Sequence, residues 1–151
     1  MTEKVTLDTN ILIYMVDLRD TARQAMASEI VKQASAARAV LTVITLGGFF
    51  AAASRKLSLS KTAVRHQMHD FALLFNMIGY DTTDLFRAAQ ESEAGRFEFW
   101  DAVMLSAAER AECTTCLSED MHDGARLGGI TVRNPFGPRG VSDAARAALG
   151  L

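Results

Sequence analysis

The chain has 151 residues, of which 49% are hydrophobic and 23% are charged. This length fits one domain with a substantial buried core, and this composition excludes an intrinsically disordered chain. The formal net charge of −2 excludes binding of nucleic acid through a bulk positive field, so such binding would need local basic groups or a metal ion.

The sequence carries no signal for membrane insertion or export. No apolar run approaches the roughly 20 residues that cross a bilayer, and no charged n-region with a cleavage site opens the chain. We therefore expect a soluble, cytoplasmic protein with no membrane partner.

The stretch KVTLDTNILI near the N-terminus predicts a buried strand followed at once by a helix. Val5 and Leu7 favour a strand from Lys4 to Leu7 that ends on the acid Asp8. The carboxyl ends of strands in an open α/β sheet border the ligand crevice, which makes Asp8 a candidate site residue. The alternative is that Asp8 or Thr9 only caps the helix, a role that suits both residue types.

The middle of the chain alternates between helical and extended patterns. The predicted elements are a helix at 22–37, a strand at 39–44, a helix that begins at a Thr45 cap, a helix at 61–75, a strand at 76–80 and a helix at 81–94. Strands that alternate with helices in this way predict a parallel sheet that is covered on both faces.

Two further aspartates lie at places comparable to that of the first. Asp101 is in the first turn of a predicted helix whose buried face includes Trp100 and Val103. The run at 113–118 predicts another parallel strand, with Asp120 just after it. Three acids at one sheet edge repel each other unless a cation neutralises them, and ligands that offer only oxygen suit Mg²⁺ or Mn²⁺.

The cysteines and histidines favour plainer interpretations than a metal site. Cys113 and Cys116 are three residues apart in a predicted strand and lack a second pair to complete a zinc site, so we expect buried thiols. His66 and His69 lie close on one helix but have no third ligand, and we expect them in solvent. His122 is a better candidate for contact with a substrate.

Glycine and proline organise the end of the chain. A Gly-Gly pair at 128–129 turns the chain into the last predicted strand, at 130–132. The sequence Gly-Pro-Arg-Gly at 137–140 predicts a hinge. We therefore expect one domain at 1–136 and a short C-terminal tail at 137–151.

Four short motifs occur in order along the chain: LDTNIL at 7–12, FWDA at 99–102, SEDM at 118–121 and VRNPF at 132–136. Together they resemble the PIN domain, in particular the VapC-like toxins of bacterial type II toxin–antitoxin pairs. The resemblance implies a three-layer α/β/α sandwich around a central, parallel, twisted sheet of four to five strands. It also implies a metal-dependent endoribonuclease that forms a homodimer and is inhibited by a cognate antitoxin.

The resemblance assigns roles to particular residues. Asp8, Asp101 and Asp120 would bind Mg²⁺ or Mn²⁺ and hydrolyse an RNA phosphodiester through a metal-activated water. An antitoxin segment would lie in an apolar groove formed by the second, third and fourth helices. Independently of the resemblance, we expect Asn10, Arg55 and His122 to contact substrate, because the place of Asn10 at a helix N-terminus suits a hydrogen bond to a carboxylate or a phosphate. Lys56, Arg96 and Arg126 are further candidates for phosphate contact. The alternatives are helix capping for Asn10 and solvated surface charge for the basic residues.

One position departs from the pattern of this family. Gly48 stands where the family usually carries a glutamate, at what we predict to be a helix start, and it offers no evident structural benefit. Glu91 or Glu93 would partly replace the missing carboxylate. The alternative function is a catalytically weak or inactive module that binds RNA or an antitoxin.

A phosphotransferase that forms an aspartyl phosphate also places an aspartate at the end of its first strand. That chemistry needs a second aspartate two residues later, where this chain has Asn10. The sequence therefore argues against this reaction, and we expect no turnover of p-nitrophenyl phosphate with magnesium.

Overall fold

The computed structural model describes residues 3–151, and within that range the chain forms eight short strands and seven α-helices. The strands are β1 (Val5–Leu7), β2 (Val40–Thr42), β3 (Asn76–Ile78), β4 (Thr115–Leu117), β5 (Arg126–Leu127), β6 (Ile130–Arg133), β7 (Phe136–Gly137) and β8 (Gly140–Val141). The helices are α1 (Thr9–Val16), α2 (Thr21–Ala36), α3 (Val43–Lys56), α4 (Lys61–Leu74), α5 (Thr82–Glu93), α6 (Phe99–Arg110) and α7 (Asp143–Leu149). Every predicted element is present, with its ends shifted by a few residues.

The main sheet has the strand order β3-β2-β1-β4-β6-β5. All neighbours are parallel except β5, which pairs antiparallel with β6. The five parallel strands match the predicted parallel sheet of four to five strands, and the chain adds β5 as a sixth, antiparallel strand because it folds back on itself at the Gly-Gly pair. Gly128 makes this turn possible because its φ of +57° lies in the left-handed region, which favours glycine.

Both faces of the sheet are covered, as the α/β/α prediction requires. Ile11, Ile30 and Phe71 belong to a buried cluster on one face, which α1, α2, α3, α4 and α7 cover. Val103 and Val132 belong to a second cluster on the other face, which α5 and α6 cover. The predicted three-layer sandwich is confirmed.

The order of the strands creates a crevice at one edge of the sheet. From β1 the chain moves outward to β2 and β3, and it then returns to the other side of β1 as β4. Strand order thus reverses between β1 and β4, and the carboxyl ends of two such strands border the usual ligand crevice. Leu7 pairs with Leu117 in this register, and the Asp8 amide donates to the Leu117 carbonyl at 3.0 Å. The residues after β1 and β4 therefore lie side by side.

Two local predictions are wrong for identifiable reasons. The N-cap of α3 is Thr42, whose hydroxyl accepts from the Thr45 amide at 3.1 Å, so the helix begins before the predicted Thr45 cap. Thr45 instead donates its hydroxyl to the Leu7 carbonyl at 3.1 Å. Trp100, expected on the buried face of α6, is 49% exposed, because the fully buried part of this helix begins only at Ala102.

The segment that follows β6 is packed against the rest of the protein. The stretch expected to be a hinge, at 137–140, forms the turn of a two-stranded antiparallel ribbon made by β7 and β8. Ser142 then caps α7, which buries Ala145 and Leu149 in the same cluster as Ile30 of α2.

Across residues 3–151, none of the helices has the length and apolar character that a membrane span requires.

Candidate active site

Asp8 joins the end of β1 to the start of α1. Its Oδ1 accepts a hydrogen bond from the Thr9 amide at 2.7 Å, so Asp8 does cap the helix. Its Oδ2 accepts from the Ser118 hydroxyl at 2.8 Å, across the junction with β4. Burial raises the pKa of the Asp8 carboxyl, the hydrogen bonds from Ser118 and Thr9 oppose this rise, and the charge of Asp120 adds to it. Asp8 therefore serves as a cap and also places a buried carboxylate beside the end of β4.

Asp101 lies in the first turn of α6, as the sequence predicts. Its amide donates to Glu98 Oε2 at 3.1 Å, and Glu98 is the N-cap of the helix. Burial, followed by the charges of Asp8, Glu98 and Asp120, raises the pKa of the Asp101 carboxyl from 3.8 to about 6. The three aspartates are thus near enough to repel each other, although they come from three separate elements.

Asp120 follows β4 and is held by the first turn of α1. The side-chain amide of Asn10 donates a hydrogen bond to Asp120 Oδ2. Asn10 therefore binds a carboxylate, one of the two interactions that its position at the helix N-terminus suggests.

The donor set has the chemistry of a site for a hard divalent cation. None of the ion pairs formed by residues 3–151 involves Asp8, Asp101 or Asp120, so no basic side chain neutralises them. Carboxylate oxygens without nitrogen or sulfur ligands suit Mg²⁺ or Mn²⁺. In the described part of the chain, however, no three acidic, histidine or cysteine side chains converge on one point that could hold a metal ion. Joint binding of one ion by the three aspartates would therefore require their side chains to move.

Gly48 lies within α3 and not at its start, which corrects the predicted position. A Cβ atom built at residue 48 would lie 2.8 Å from Thr9 Oγ1, closer than ordinary packing allows. The expectation that Gly48 offers no structural benefit is also wrong, because its missing side chain lets α3 approach the first residue of α1. Position 48 thereby adjoins the same helix start as Asp8.

Two side chains at the site were missed by sequence reasoning. Glu98 adds a fourth carboxylate to the three aspartates and lies near Asp101. The sequence feature that indicates it is an acid at the N-cap position of a predicted helix. Ser118 is fully buried and donates to Asp8. Its signal was a hydroxyl residue at the end of a strand, directly before two acids.

The glutamates proposed to replace the missing carboxylate occupy the end of α5. Glu91 is engaged by Arg96, whose Nε lies 2.6 Å from Glu91 Oε2, and this contact lowers the pKa of the Glu91 carboxyl. Glu93 is exposed. Arg96, a candidate for phosphate contact, is thus already paired with an acid.

The remaining basic and histidine candidates lie on the surface. Arg55 is exposed in the last turn of α3, roughly 10 Å along the helix axis from Gly48. His122 is exposed two residues after Asp120, and Lys56 and Arg126 are exposed as well. His66 and His69 are exposed on α4, as expected.

The cysteines are core residues, as the sequence predicts. Cys113 and Cys116 are free, buried thiols. Burial raises the pKa of Cys113 to about 11 and raises that of Cys116 as well. Both therefore remain protonated at neutral pH, which disfavours redox or metal chemistry.

The chain resembles known proteins in its three-dimensional structure. No protein-family model matches the sequence, and no curated protein matches it. VapC20 of Mycobacterium tuberculosis, described as a toxin that cleaves the sarcin-ricin loop, matches with a TM-score of 0.62 at 12% identity, over 78% of this chain and 92% of that chain. A toxin–antitoxin complex from Klebsiella pneumoniae matches with a TM-score of 0.62 at 20% identity, over 88% of this chain and 98% of that chain.

A third solved structure belongs to the same group of proteins. VapBC2 of Rickettsia felis, bound to a DNA fragment from its promoter, matches with a TM-score of 0.60 at 15% identity, over 86% of this chain and 97% of that chain. The chain therefore has the fold of the VapC toxins, which is the PIN-domain fold that its four sequence motifs resemble.

Proposed function

We propose that this protein is a metal-dependent endoribonuclease and the toxin of a toxin–antitoxin pair. The observation that carries the proposal is the grouping of Asp8, Asp101 and Asp120, from β1, α6 and β4, at the crevice of a VapC-like fold. Acids held this close without a basic partner are costly to a protein unless they bind a cation.

Asp8, Asp101 and Asp120 would hold Mg²⁺ or Mn²⁺ in this proposal. The ion would lower the pKa of a bound water and stabilise negative charge on the phosphate, so that no side-chain nucleophile is needed. Ser118 and the Thr9 amide orient Asp8, and Asn10 orients Asp120. Such outer partners fix the orientation of a carboxylate before it binds the metal ion.

The substrate would be RNA, and the phosphate contacts would come from exposed groups on the protein surface. Arg55 and His122 are candidates because both are exposed and have no ion pair within the described chain, and Asn10 is a candidate through its place at the start of α1. A cognate antitoxin and a second copy of the chain are the proposed protein partners, in line with the complexes among the similar structures.

The second candidate function is a module that binds RNA or an antitoxin but cleaves weakly or not at all. Gly48 favours it, because the position next to Thr9 carries no carboxylate. The two functions differ in their need for metal, since simple binding through basic groups does not require it.

A cleavage assay tests the proposal. Total RNA is incubated with the full chain in Mg²⁺ or Mn²⁺, and we expect endonucleolytic cleavage that EDTA abolishes and that Asp120→Asn lowers at least about a hundredfold. Asp143→Asn, an exposed acid in the first turn of α7, is the matched control and leaves cleavage unchanged. RNA binding without cleavage, equal with and without EDTA, would favour the second candidate instead.

A further inference from the structure

Glu119, the residue before Asp120, is held by side chains from two helices. Tyr14 Oη donates to Glu119 Oε1 at 2.8 Å, and Arg23 Nη2 lies 2.8 Å from Glu119 Oε2. The Arg23 guanidinium lies over the Phe136 ring at 4.4 Å from its centroid, and the Tyr14 ring meets Phe136 edge-on at 5.4 Å. Both oxygens of Glu119 are therefore engaged, and the groups that engage them are themselves packed.

The two acids after β4 are attached to one face of α1. Asn10 and Tyr14 are four residues apart in this helix, so their side chains lie one above the other. Asn10 binds Asp120 and Tyr14 binds Glu119. The loop after β4 is thus fixed to α1 at two successive residues, one helical turn apart.

The charges at this junction are unequally compensated. Among residues 3–151, Glu119 is paired with the Arg23 cation, whereas the Asp120 side chain accepts from the neutral amide of Asn10 and forms no ion pair. Of these two adjacent carboxylates, Glu119 is compensated by a cation of the protein and Asp120 is not. A glutamate released from Tyr14 and Arg23 would be long enough and mobile enough to compete with Asp120.

We propose that Tyr14 and Arg23 are positioning residues that hold Glu119 aside and thereby fix Asp120 at the carboxylate site. This inference rests on the proposed metal-dependent function for its consequence, although the positioning itself is a property of the protein without metal.

The test removes both contacts with little change in shape. In the full chain, Tyr14→Phe removes the donor and keeps the ring, and Arg23→Met removes the charge and keeps the length of the side chain. We expect the double variant to shift or broaden the side-chain amide resonances of Asn10 in ¹⁵N-correlated NMR spectra, because Asp120 is released. We also expect the affinity for Mn²⁺ in titration calorimetry to fall about tenfold, the range typical of lost outer-shell contacts.

A structural role alone would not produce this combination. Saturating Mn²⁺ should restore most of the RNA cleavage in the double variant, because the defect lies in metal binding. Arg19→Met is the matched control, since it breaks the ion pair between the exposed Arg19 and the buried Asp17 just beyond the end of α1 and leaves Glu119 untouched. Glu119→Gln is the second variant, which keeps an acceptor for Tyr14, loses the ion pair and should show the smaller change.

The outcomes separate this inference from the proposed function. Asn10 resonances that stay unchanged in the double variant would overturn the inference, whether or not the protein cleaves RNA. Asn10 resonances that move, in a protein whose wild type neither binds Mn²⁺ nor cleaves RNA, would support the positioning role and overturn the proposed function. An affinity for Mn²⁺ that stays within twofold of that of a wild type that does bind would also overturn the inference.

Discussion

At pH 7 the Asp101 carboxyl is ionised, although burial and three neighbouring carboxylates raise its pKa to about 6. In the unfolded chain the same group titrates near 3.8. The folded state therefore binds the extra proton between these values, and the free energy of unfolding falls as the pH rises through about 6. Below pH 3.8 the group is protonated in both states and has no effect. The site is thus a source of instability in the protein without metal.

Asp101→Asn should make the metal-free protein more stable at neutral pH. Because Asp101 is only partly buried, we expect a gain of about 1 kcal/mol at pH 7.5, and no gain below pH 4. Urea unfolding in EDTA at several pH values measures this difference. Asp70→Asn, an exposed acid on α4, is the control and should show little change at any pH. A gain that did not depend on pH would contradict the electrostatic explanation.

Gly48 and Thr9 should behave as a coupled pair. Gly48→Glu alone forces its Cβ against Thr9 Oγ1, so we expect a loss of stability of about 1 kcal/mol. Gly48→Glu combined with Thr9→Ala removes that clash, and we expect it to raise RNA cleavage at least about tenfold over wild type by adding a carboxylate.

Urea unfolding measures the loss of stability, and the rate of RNA cleavage in Mg²⁺ measures the gain in activity. The combination of Gly48→Gln with Thr9→Ala has the same size without the charge and should not raise cleavage. An equal rise with glutamine would show that the absent carboxylate is not what limits the protein.

Between elements, one buried hydroxyl contributes to the junction of β4 with the start of α1. Ser118 donates to Asp8 at 2.8 Å and also accepts from the Met121 amide at 3.3 Å. Ser118→Ala should lower stability by about 1–3 kcal/mol, because it leaves buried polar groups without a partner. It should also weaken Mn²⁺ binding about tenfold, because the orientation of Asp8 is no longer fixed.

A second buried serine provides the control for this junction. Ser106 of α6 donates to Asp84 at 2.7 Å and is fully buried, but it belongs to the contact between α5 and α6. Ser106→Ala should therefore lower stability by a similar amount without changing the affinity for Mn²⁺. If both serine variants weakened Mn²⁺ binding equally, the effect would be one of stability and not of positioning.

The elements themselves were largely predictable, because their signals are local. Asp20, Ser60 and Asp81 lie at helix N-caps, which short-range hydrogen bonds determine. The contact of Gly48 with Thr9 and the bond from Ser118 to Asp8 join residues far apart in sequence. No local pattern contains such contacts, which explains why the packing role of Gly48 and the part played by Ser118 were missed.

For the molecule as a whole, binding of a cation should act as a stabilising ligand. At a Mn²⁺ concentration one hundred times its Kd, the gain is about 2.7 kcal/mol, which corresponds to a rise in Tm of roughly 5–10 °C for a domain of this size. Thermal unfolding with and without Mn²⁺, at matched ionic strength, measures the rise. It should disappear when Asp8→Asn and Asp120→Asn are combined, and an undiminished rise in that variant would place the ion elsewhere.

The overall architecture was predictable where alternation of strand and helix determines it. The parallel core of the sheet followed from that alternation, but β5 did not, because two residues that pair across a tight turn carry no periodic signal. The sequence indicates that Asp8, Asp101 and Asp120 lie at strand and helix ends, and their sharing of one metal ion stays a prediction. Their hydrogen-bond partners, and the contrast between Asp120 and the ion-paired Glu119, required the packed structure.

The only tryptophan of the chain is half exposed in the first turn of α6, directly before Asp101, and its ring lies edge-on to Phe99 and Tyr80. Indole fluorescence responds to charge and polarity within a few ångströms. The protein therefore carries a native optical reporter next to Asp101, one of the three aspartates of the candidate site, and events at this edge of the sheet can be followed in solution without labels.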